Sequence, residues 1–167
     1  MQTDVETIRI EGGVLGELYL RHAPQALRLA YLLTGDARLA EDIVQDAFVR
    51  LAGRLLHVRS PDGFQAYLRT TVVNLIRSHR RRRAVEIRHQ ERRTVQAPLE
   101  PPDISARDEL RMALIALPVR QRTAIVLRYY EDLSEAQTAE VMRCGGGTVR
   151  SLVARGMATL RSSLRKD

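Results

Sequence analysis

The chain has 167 residues, a hydrophobic content of 44% and a formal net charge of +7. That length allows one domain or two small ones, and the hydrophobic content is sufficient for a buried core. The sequence lacks a run of about 18 apolar residues and a secretory signal, which excludes a membrane span and predicts a cytoplasmic protein. The single cysteine, Cys144, excludes an internal disulfide and a cysteine-based zinc site, and the four histidines are scattered. We therefore expect no metal and no cofactor.

Positive charge is concentrated in two blocks of the sequence. Residues 77–93 carry eight Arg and two Glu, a net charge of +6, and residues 143–167 carry five Arg, one Lys and one Asp, a net charge of +5. Residues 1–76 and 94–142 have net charges of −1 and −3. Two separate basic blocks favour two separate contacts with a polyanion over a uniformly basic surface.

The first two predicted helices lie between Val14 and Ala52. The first runs from about Val14 to Leu33, and Pro24 is expected to kink or divide it. Gly35 is placed to end this helix and Asp36 to cap the second, from about Ala37 to Ala52. The residues predicted to form the buried face of the second helix are Ala40, Ile43, Val44, Ala47, Phe48 and Leu51.

The exposed face of the second helix is polar and includes two acids four residues apart. Its members are Glu41, Asp42, Gln45, Asp46 and Arg50. No histidine or third acid converges on these carboxylates, so a metal site is not expected there. A protein-contact face and a plain solvated face remain the two interpretations at this point.

A third helix is predicted from Pro61, with Ser60 as its cap. Its apolar stripe comprises Phe64, Tyr67, Leu68, Thr71, Val72, Leu75 and Ile76, and its polar face carries Arg69, Thr70, Asn74, Arg77 and Ser78. The helix continues into four consecutive arginines, Arg80 to Arg83, and a short basic connection with His57 and Arg59 precedes it. The pattern fits either a core helix with a solvated basic end or a surface that contacts bases and phosphates.

The second half of the chain is predicted to begin after a proline-rich linker, residues 94–104. Ser105 is predicted to cap a helix with an apolar stripe of Leu110, Ala113, Leu114 and Leu117, and Pro118 to start the next. Ser134 and Gln137 fit a capping box for a short helix, followed by a turn at Cys144 to Gly147.

The last predicted helix runs from Thr148 to about Leu164, with Leu152 or Val153 facing inward. The residues predicted to face outward near its start are Thr148, Arg150, Ser151, Ala154 and Arg155. A short helix, a turn and a second helix form the helix-turn-helix pattern, whose second helix meets base edges and phosphates in the major groove. The sequence thus predicts an all-α fold of two small helical domains, residues 1–93 and 105–167, joined by a flexible linker at 94–104.

Both halves resemble one known family. The segments that carry the resemblance are LRLAYLLTGDARLAEDIVQDAFVRL, FQAYLRTTVVNLIRSHRRRR and LIALPVRQRTAIVLRYYEDLSEAQTAEVMRCGGGTVRSLVARGMATLR. Over roughly residues 15–164 the chain is similar to the extracytoplasmic-function (ECF) sigma factors, the small group of the sigma-70 family. The resemblance implies a transcription-initiation subunit of bacterial RNA polymerase, with sigma region 2 at residues 1–93 and sigma region 4 at 105–167.

The resemblance also implies a role for individual residues. Contacts with the beta-prime clamp of core RNA polymerase fall on Asp42, Gln45, Asp46 and Arg50. Contacts with the −10 element fall on His57, Arg59, Asn74, Arg77, Ser78, Arg80 and Arg81. Contacts with the −35 element fall on Thr148, Arg150, Ser151 and Arg155. The implied partners are core polymerase, including its beta flap, promoter DNA and an anti-sigma factor; no enzymatic activity is implied, and the free protein is expected to be a monomer without membrane insertion.

Five positions depart from the family pattern. Ala52 replaces the usual Trp after the leucine of the clamp helix, Gly145 replaces a capping Ser, Gly146 adds a flexible residue near the helix start, Leu152 replaces a basic residue that often touches DNA, and Ala154 is small where a side chain often reaches bases. The three glycines from Gly145 to Gly147, with Leu152 and Ala154, favour a first alternative, a sigma-like polymerase-binding protein with weakened −35 reading. A second alternative is a two-domain helix-turn-helix regulator that binds duplex DNA without polymerase. An enzyme is not expected, because the sequence offers no nucleophile–base pair or glycine-rich phosphate loop.

Overall fold

The computed structural model describes residues 3–53, 61–89 and 106–165. Across these three ranges the chain is helical and contains no strand, as the predicted all-α fold requires. The chain divides into two compact units, Met1–Ile76 and Arg77–Asp167. The predicted linker at 94–104 lies outside the described residues, so the predicted domain boundary stays a prediction.

Helix α1 comprises Thr3–Thr34 and begins earlier than the predicted start at Val14. It continues through Pro24 as one helix, so division at this proline, one of the two predicted outcomes, does not occur. Packing accounts for this, because burial of an apolar face outweighs the loss of one backbone hydrogen bond. The buried residues of this helix after the first turns are His22, Ala23, Ala26, Leu29, Ala30 and Leu33. Gly35 ends the helix as predicted, with a φ of 73° and its N–H donated to the Tyr31 carbonyl at 2.8 Å.

Helix α2 comprises Ala37–Ala52, the range that the sequence predicts. The carboxylate of Asp36 accepts the N–H of Leu39 at 3.1 Å, so the predicted cap is confirmed. The buried residues are those predicted: Ala40, Ile43, Val44, Ala47, Phe48 and Leu51. Burial of this whole face fixes which residues α2 leaves to solvent.

Helix α3 comprises Pro61–His89. Its Phe64 is 1% exposed and joins an aromatic cluster in which the ring centroids of Tyr19 and Phe48 lie 4.9 Å apart, those of His22 and Phe64 5.3 Å, and those of Phe48 and Phe64 5.9 Å. The cluster ties α1, α2 and the start of α3 together. Tyr67, which was predicted to be buried, is 39% exposed because it lies at the edge of the stripe.

His22 lies inside this cluster, and burial lowers the pKa of its imidazole below the usual 6.5, with a smaller contribution from Arg21. Within the described residues its Nε2 has no hydrogen-bond partner. The unfolded chain therefore takes up a proton at a higher pH than the folded chain does. We expect the free energy of unfolding to be independent of this group above 6.5 and to fall as the pH drops below 6.5 toward the folded pKa.

Urea unfolding followed by far-UV circular dichroism at pH 7.5 and pH 5.5 tests this expectation. The His22→Leu variant is expected to lose less stability than the wild type between the two pH values, because it has no proton to bind. Equal losses in the two proteins would show that His22 does not contribute to acid sensitivity.

In the part of the second unit that the structure describes, the end of α3 is followed by four further helices and one π-helical segment. Their bounds are Ala106–Ala116 (α4), Val119–Ile125 (α5), Val126–Tyr130 (the π-helical segment), Glu135–Met142 (α6) and Gly146–Leu164 (α7). Leu117, Ile125 and Leu160 form a buried core against which Ala113, Leu114 and Met157 pack. Leu110 is 44% exposed, so its predicted burial is wrong: it lies on the solvent side of α4.

Close packing holds α5 against α7 at Gly156. A Cβ atom at Gly156 would lie 2.6 Å from Cδ1 of Ile125 and 3.2 Å from Cβ of Gln121, so any larger residue would displace these two side chains. The buried Arg122 of α5 donates hydrogen bonds to the carbonyls of Ile115 at 2.6 Å and Leu117 at 3.2 Å. These bonds satisfy carbonyls at the end of α4, where a cation is also favoured by the helix dipole.

Candidate polymerase and promoter interfaces

The face of α2 opposite its buried stripe is exposed throughout. It contains all four residues predicted to contact polymerase: Asp42, Gln45, Asp46 and Arg50. The Nε of Arg50 lies 3.3 Å from Oδ1 of Asp46, and the two side chains are 59% and 49% exposed. An ion pair this exposed contributes little to stability, so both groups are available to a partner.

Val49 belongs to the same face and was missed in the sequence. It is 72% exposed and lies three residues after Asp46 and four after Gln45, spacings that place it beside both on the helix surface. The sequence could have revealed Val49 through a break in the helical periodicity, because this apolar residue occupies a position on the polar face. An apolar side chain among charged ones is typical of the centre of a protein–protein contact.

The described residues predicted to contact the −10 element lie along α3. Asn74, Arg77, Ser78 and Arg80 are partly exposed, and Arg81 is exposed. Within the second unit Arg77 donates from Nη1 to the carbonyl of Met142 at 3.2 Å. Burial lowers the pKa of Arg77 and of Arg80, and neighbouring arginines lower it further. Arginine stays charged despite such shifts, so this segment keeps the cationic character that attracts phosphate.

The other two predicted −10 contacts, His57 and Arg59, lie outside the described residues. No position is assigned to them, and their role stays a prediction.

Helix α6 begins with the predicted capping box. The Ser134 hydroxyl accepts the N–H of Gln137 at 3.1 Å, and the Gln137 side chain accepts the N–H of Ser134 at 2.8 Å. The helix ends at Arg143, which has a φ of 51° in the left-handed region. The N–H groups of Arg143 and Cys144 are donated to the carbonyls of Glu140 and Ala139 at 3.1 and 3.0 Å, the Schellman arrangement that stops a helix and turns the chain.

Helix α7 begins at Gly146, two residues before the predicted start at Thr148. Its N-cap, Gly145, provides no side-chain hydrogen bond. Leu152 is buried with 7% exposure, whereas Val153 is only partly buried, which decides between the two predicted inward positions. The residues predicted to face outward are exposed: Thr148, Arg150, Ser151, Ala154 and Arg155.

One contact of α7 has no local signal in the sequence. Oε1 of Glu135, in the first turn of α6, lies 3.1 Å from Nε of Arg150. The two residues are too far apart in the chain for helical periodicity to relate them, so only the folded helix-turn-helix reveals the pair.

The described residues contain neither a metal-binding cluster nor a membrane-spanning helix. In residues 3–53, 61–89 and 106–165 there is no group of three or more His, Cys, Asp or Glu side chains placed to hold a metal ion. Of the helices described, none has both the length and the hydropathy that crossing a bilayer requires.

Comparison with protein families gives two matches in chain order. Residues 18–85 match the family model of sigma-70 region 2, and residues 107–160 match that of sigma-70 region 4. The RNA polymerase sigma-E factor of Streptomyces coelicolor is 33% identical over 154 residues, which cover 89% of this chain and 85% of that protein. The ECF RNA polymerase sigma factor SigE of Mycolicibacterium smegmatis is 33% identical over 158 residues, which cover 90% of this chain but 61% of that longer protein.

Two solved structures share the fold. The sigma factor RpoE from Bartonella quintana, in complex with the anti-sigma factor NepR, superposes with a TM-score of 0.75 at 24% identity, covering 91% of this chain and 97% of that chain. CnrH, in complex with the cytosolic domain of CnrY, superposes with a TM-score of 0.62 at 26% identity, covering 92% and 88%. Because both sigma-70 regions match in order and a curated sigma factor aligns over most of its length, the chain belongs to the ECF group of the sigma-70 family.

Proposed function

We propose that this protein binds core RNA polymerase and directs it to promoters by contacting their −10 and −35 elements, without covalent chemistry of its own. The observation that carries the proposal is the separation of two kinds of exposed surface. The face of α2 bears carboxylates and an apolar residue, whereas α3 and the start of α7 bear arginines. The first surface suits a protein partner and the other two suit nucleic acid.

The polymerase contact is assigned to the α2 face, where it would meet the beta-prime clamp. Asp42 and Asp46 supply charges that bind and orient the partner, and Val49 adds apolar area to the same contact. Region 4, residues 105–167, would contact the beta flap, as the family resemblance implies.

The −10 contact is assigned to α3 and to the loop before it. Asn74 has an amide that pairs with a base edge, and Arg77, Arg80 and Arg81 have guanidinium groups that bind phosphates of the melted strand. Domain limits of 1–93 for region 2 and 105–167 for region 4 follow from this assignment, with a linker at 94–104.

Replacing Asn74 with Ala is expected to impair promoter opening about tenfold while leaving polymerase binding unchanged, because a base contact forms only with melted DNA. Permanganate reactivity of the −10 thymines measures opening. Thr70→Ala is the matched control, since Thr70 lies one turn earlier and its hydroxyl is donated to the carbonyl of Ala66. Equal opening by the Asn74→Ala variant and the wild type would remove Asn74 from the strand contact.

Run-off transcription with sequencing of 5′ ends tests the proposed function as a whole. The purified protein is added to core polymerase that lacks sigma, with a genomic DNA library as template. Transcripts whose starts share −10 and −35 sequences support the proposal. Stable polymerase binding without specific starts contradicts it and leaves a polymerase-binding protein.

The burial of Leu152 and the small side chain of Ala154 favour the alternative of weakened −35 reading. Leu152 is buried, so it cannot contact DNA where the family often has a basic residue, and Ala154 is too small to reach a base edge. Under this alternative the −10 sequence would be shared among the transcripts and the −35 sequence would vary. The other alternative, a helix-turn-helix regulator, predicts tight binding of duplex DNA by the free protein.

An anti-sigma factor is the further partner that we propose, because RpoE was solved with an anti-sigma factor and CnrH with the cytosolic domain of CnrY. Such a protein would cover the α2 face and the DNA-facing helices and would compete with core polymerase. A partner that binds this protein together with core polymerase, without displacing either, would contradict that assignment.

A further inference from the structure

The ion pair between Glu135 and Arg150 joins α6 to the exposed start of α7. Oε1 of Glu135 lies 3.1 Å from Nε of Arg150, and the two side chains are 38% and 73% exposed. In ordinary surroundings an exposed pair of this kind contributes little to stability. Its place beside the predicted −35 contacts suggests a role in recognition.

Gly146 leaves room for the carboxylate of Glu135. A Cβ atom at Gly146 would lie 2.8 Å from Oε1 of Glu135, so a side chain at this position would require the carboxylate to move. The glycine therefore leaves the room that the carboxylate occupies against the first turn of α7. A negative charge at this position is also favoured by the helix dipole, and Gly145 offers no side-chain cap that would compete.

The pair engages the Nε–H of Arg150, the inner donor of the guanidinium group. Within the described residues Arg150 has no other polar partner, and its side chain is 73% exposed. A guanidinium group fixed through Nε can still present both terminal groups to a pair of acceptors, because its donors lie in one rigid plane. If the Arg150 side chain is already held by Glu135 before DNA binds, less side-chain entropy is lost on binding.

We propose that Glu135 is a specificity-determining residue that positions Arg150 to read a guanine in the −35 element. Guanine presents two acceptors, O6 and N7, to the major groove, and arginine pairs with both. The carboxylate also repels DNA phosphates, which disfavours binding to sequences that lack this guanine. The proposal rests on the proposed function, in which α7 enters the −35 major groove.

The test uses holoenzyme assembled with the full chain and a promoter library with a randomised −35 element, read by sequencing of the transcripts. Arg150→Ala is expected to abolish the preference for guanine at one position. Glu135→Ala is expected to lower the preference at that same position about tenfold and to leave the others unchanged. Glu140→Ala, which removes the same charge from an exposed position of the same helix, is the matched control and is expected to change nothing.

Two further variants separate positioning from a general effect on α7. Gly146→Ala improves helix propensity but forces the Glu135 carboxylate away, so it is expected to lose the same guanine preference as Glu135→Ala. Glu135→Gln keeps an oxygen that accepts the Nε–H of Arg150 and is expected to retain part of the preference.

Three other outcomes would contradict the proposal, and each can be distinguished from the others. If Arg150→Ala changes no −35 preference, the role of Arg150 in the proposed function is wrong and this proposal fails with it. If Arg150→Ala loses a preference that Glu135→Ala keeps or strengthens, the proposed function stands and the positioning role is wrong. If Glu135→Ala weakens all −35 positions equally, the residue only stabilises the helix.

Discussion

Replacing Phe64 with Ala is expected to lower the free energy of unfolding by about 3–5 kcal/mol, the range for removal of a buried aromatic ring. Phe64 is 1% exposed, and its ring contacts those of His22 on α1 and Phe48 on α2. The cavity left by the ring would therefore open where three helices meet. Urea unfolding followed by far-UV circular dichroism measures the change.

Tyr67→Ala is the matched control for this experiment. Tyr67 lies one turn nearer the middle of α3 and was also predicted to be buried, but it is 39% exposed. Its replacement is expected to change the free energy of unfolding by about 1 kcal/mol or less. Equal losses in the two variants would mean that the aromatic cluster is not the centre of the first unit.

Replacing Asp46 with Ala is expected to weaken binding to core RNA polymerase about thirtyfold, equivalent to about 2 kcal/mol for a charged residue at the centre of an interface. The fold is expected to remain intact, because the Arg50–Asp46 pair is exposed and contributes at most about 0.5 kcal/mol. Fluorescence anisotropy of the labelled protein titrated with core polymerase measures the affinity.

Glu41→Ala is the control for the clamp assignment. Glu41 is an exposed acid on the same helix, outside the predicted contact set, so its removal changes the net charge equally. An Asp46→Ala variant that binds core polymerase as tightly as Glu41→Ala would contradict the assignment of the α2 face to the clamp.

Local sequence signals were sufficient to predict a helix whose cap and apolar stripe both lie within its own sequence. For α2 the cap at Asp36 and the apolar period together determine both the range and the buried face. At the edges of an apolar stripe the helical periodicity of the sequence predicts burial less well, because burial there depends on how far the neighbouring helices extend over the residue. Tyr67 and Leu110 were predicted to be buried and are exposed, while Val73 is buried at 5% exposure and was not predicted.

Other features depend on contacts that the period does not encode. Nothing in the composition of Val126–Tyr130 distinguishes this π-helical segment from an α-helix. Arg128, within the segment, donates a hydrogen bond to the carbonyl of Leu133, which follows it. The Glu135–Arg150 pair likewise forms only when the turn brings α6 against α7. The departure at Gly146 is visible in the sequence, but only the fold shows that the Glu135 carboxylate lies 2.8 Å from where its Cβ atom would be.

The close approach at Gly156 also bears on how the proposed promoter preference would change over evolutionary time. Helix α7 is held by Val149, Leu152, Gly156 and Leu160, whereas its outward positions Thr148, Ser151 and Ala154 take no part in that packing. Substitutions at these three positions are expected to leave the scaffold intact, so under the proposed function promoter preference would change without compensating changes in the core. Because the exposed positions of α7 are separate from its packed positions, they suit a randomised library from which variants with different promoter preferences are selected.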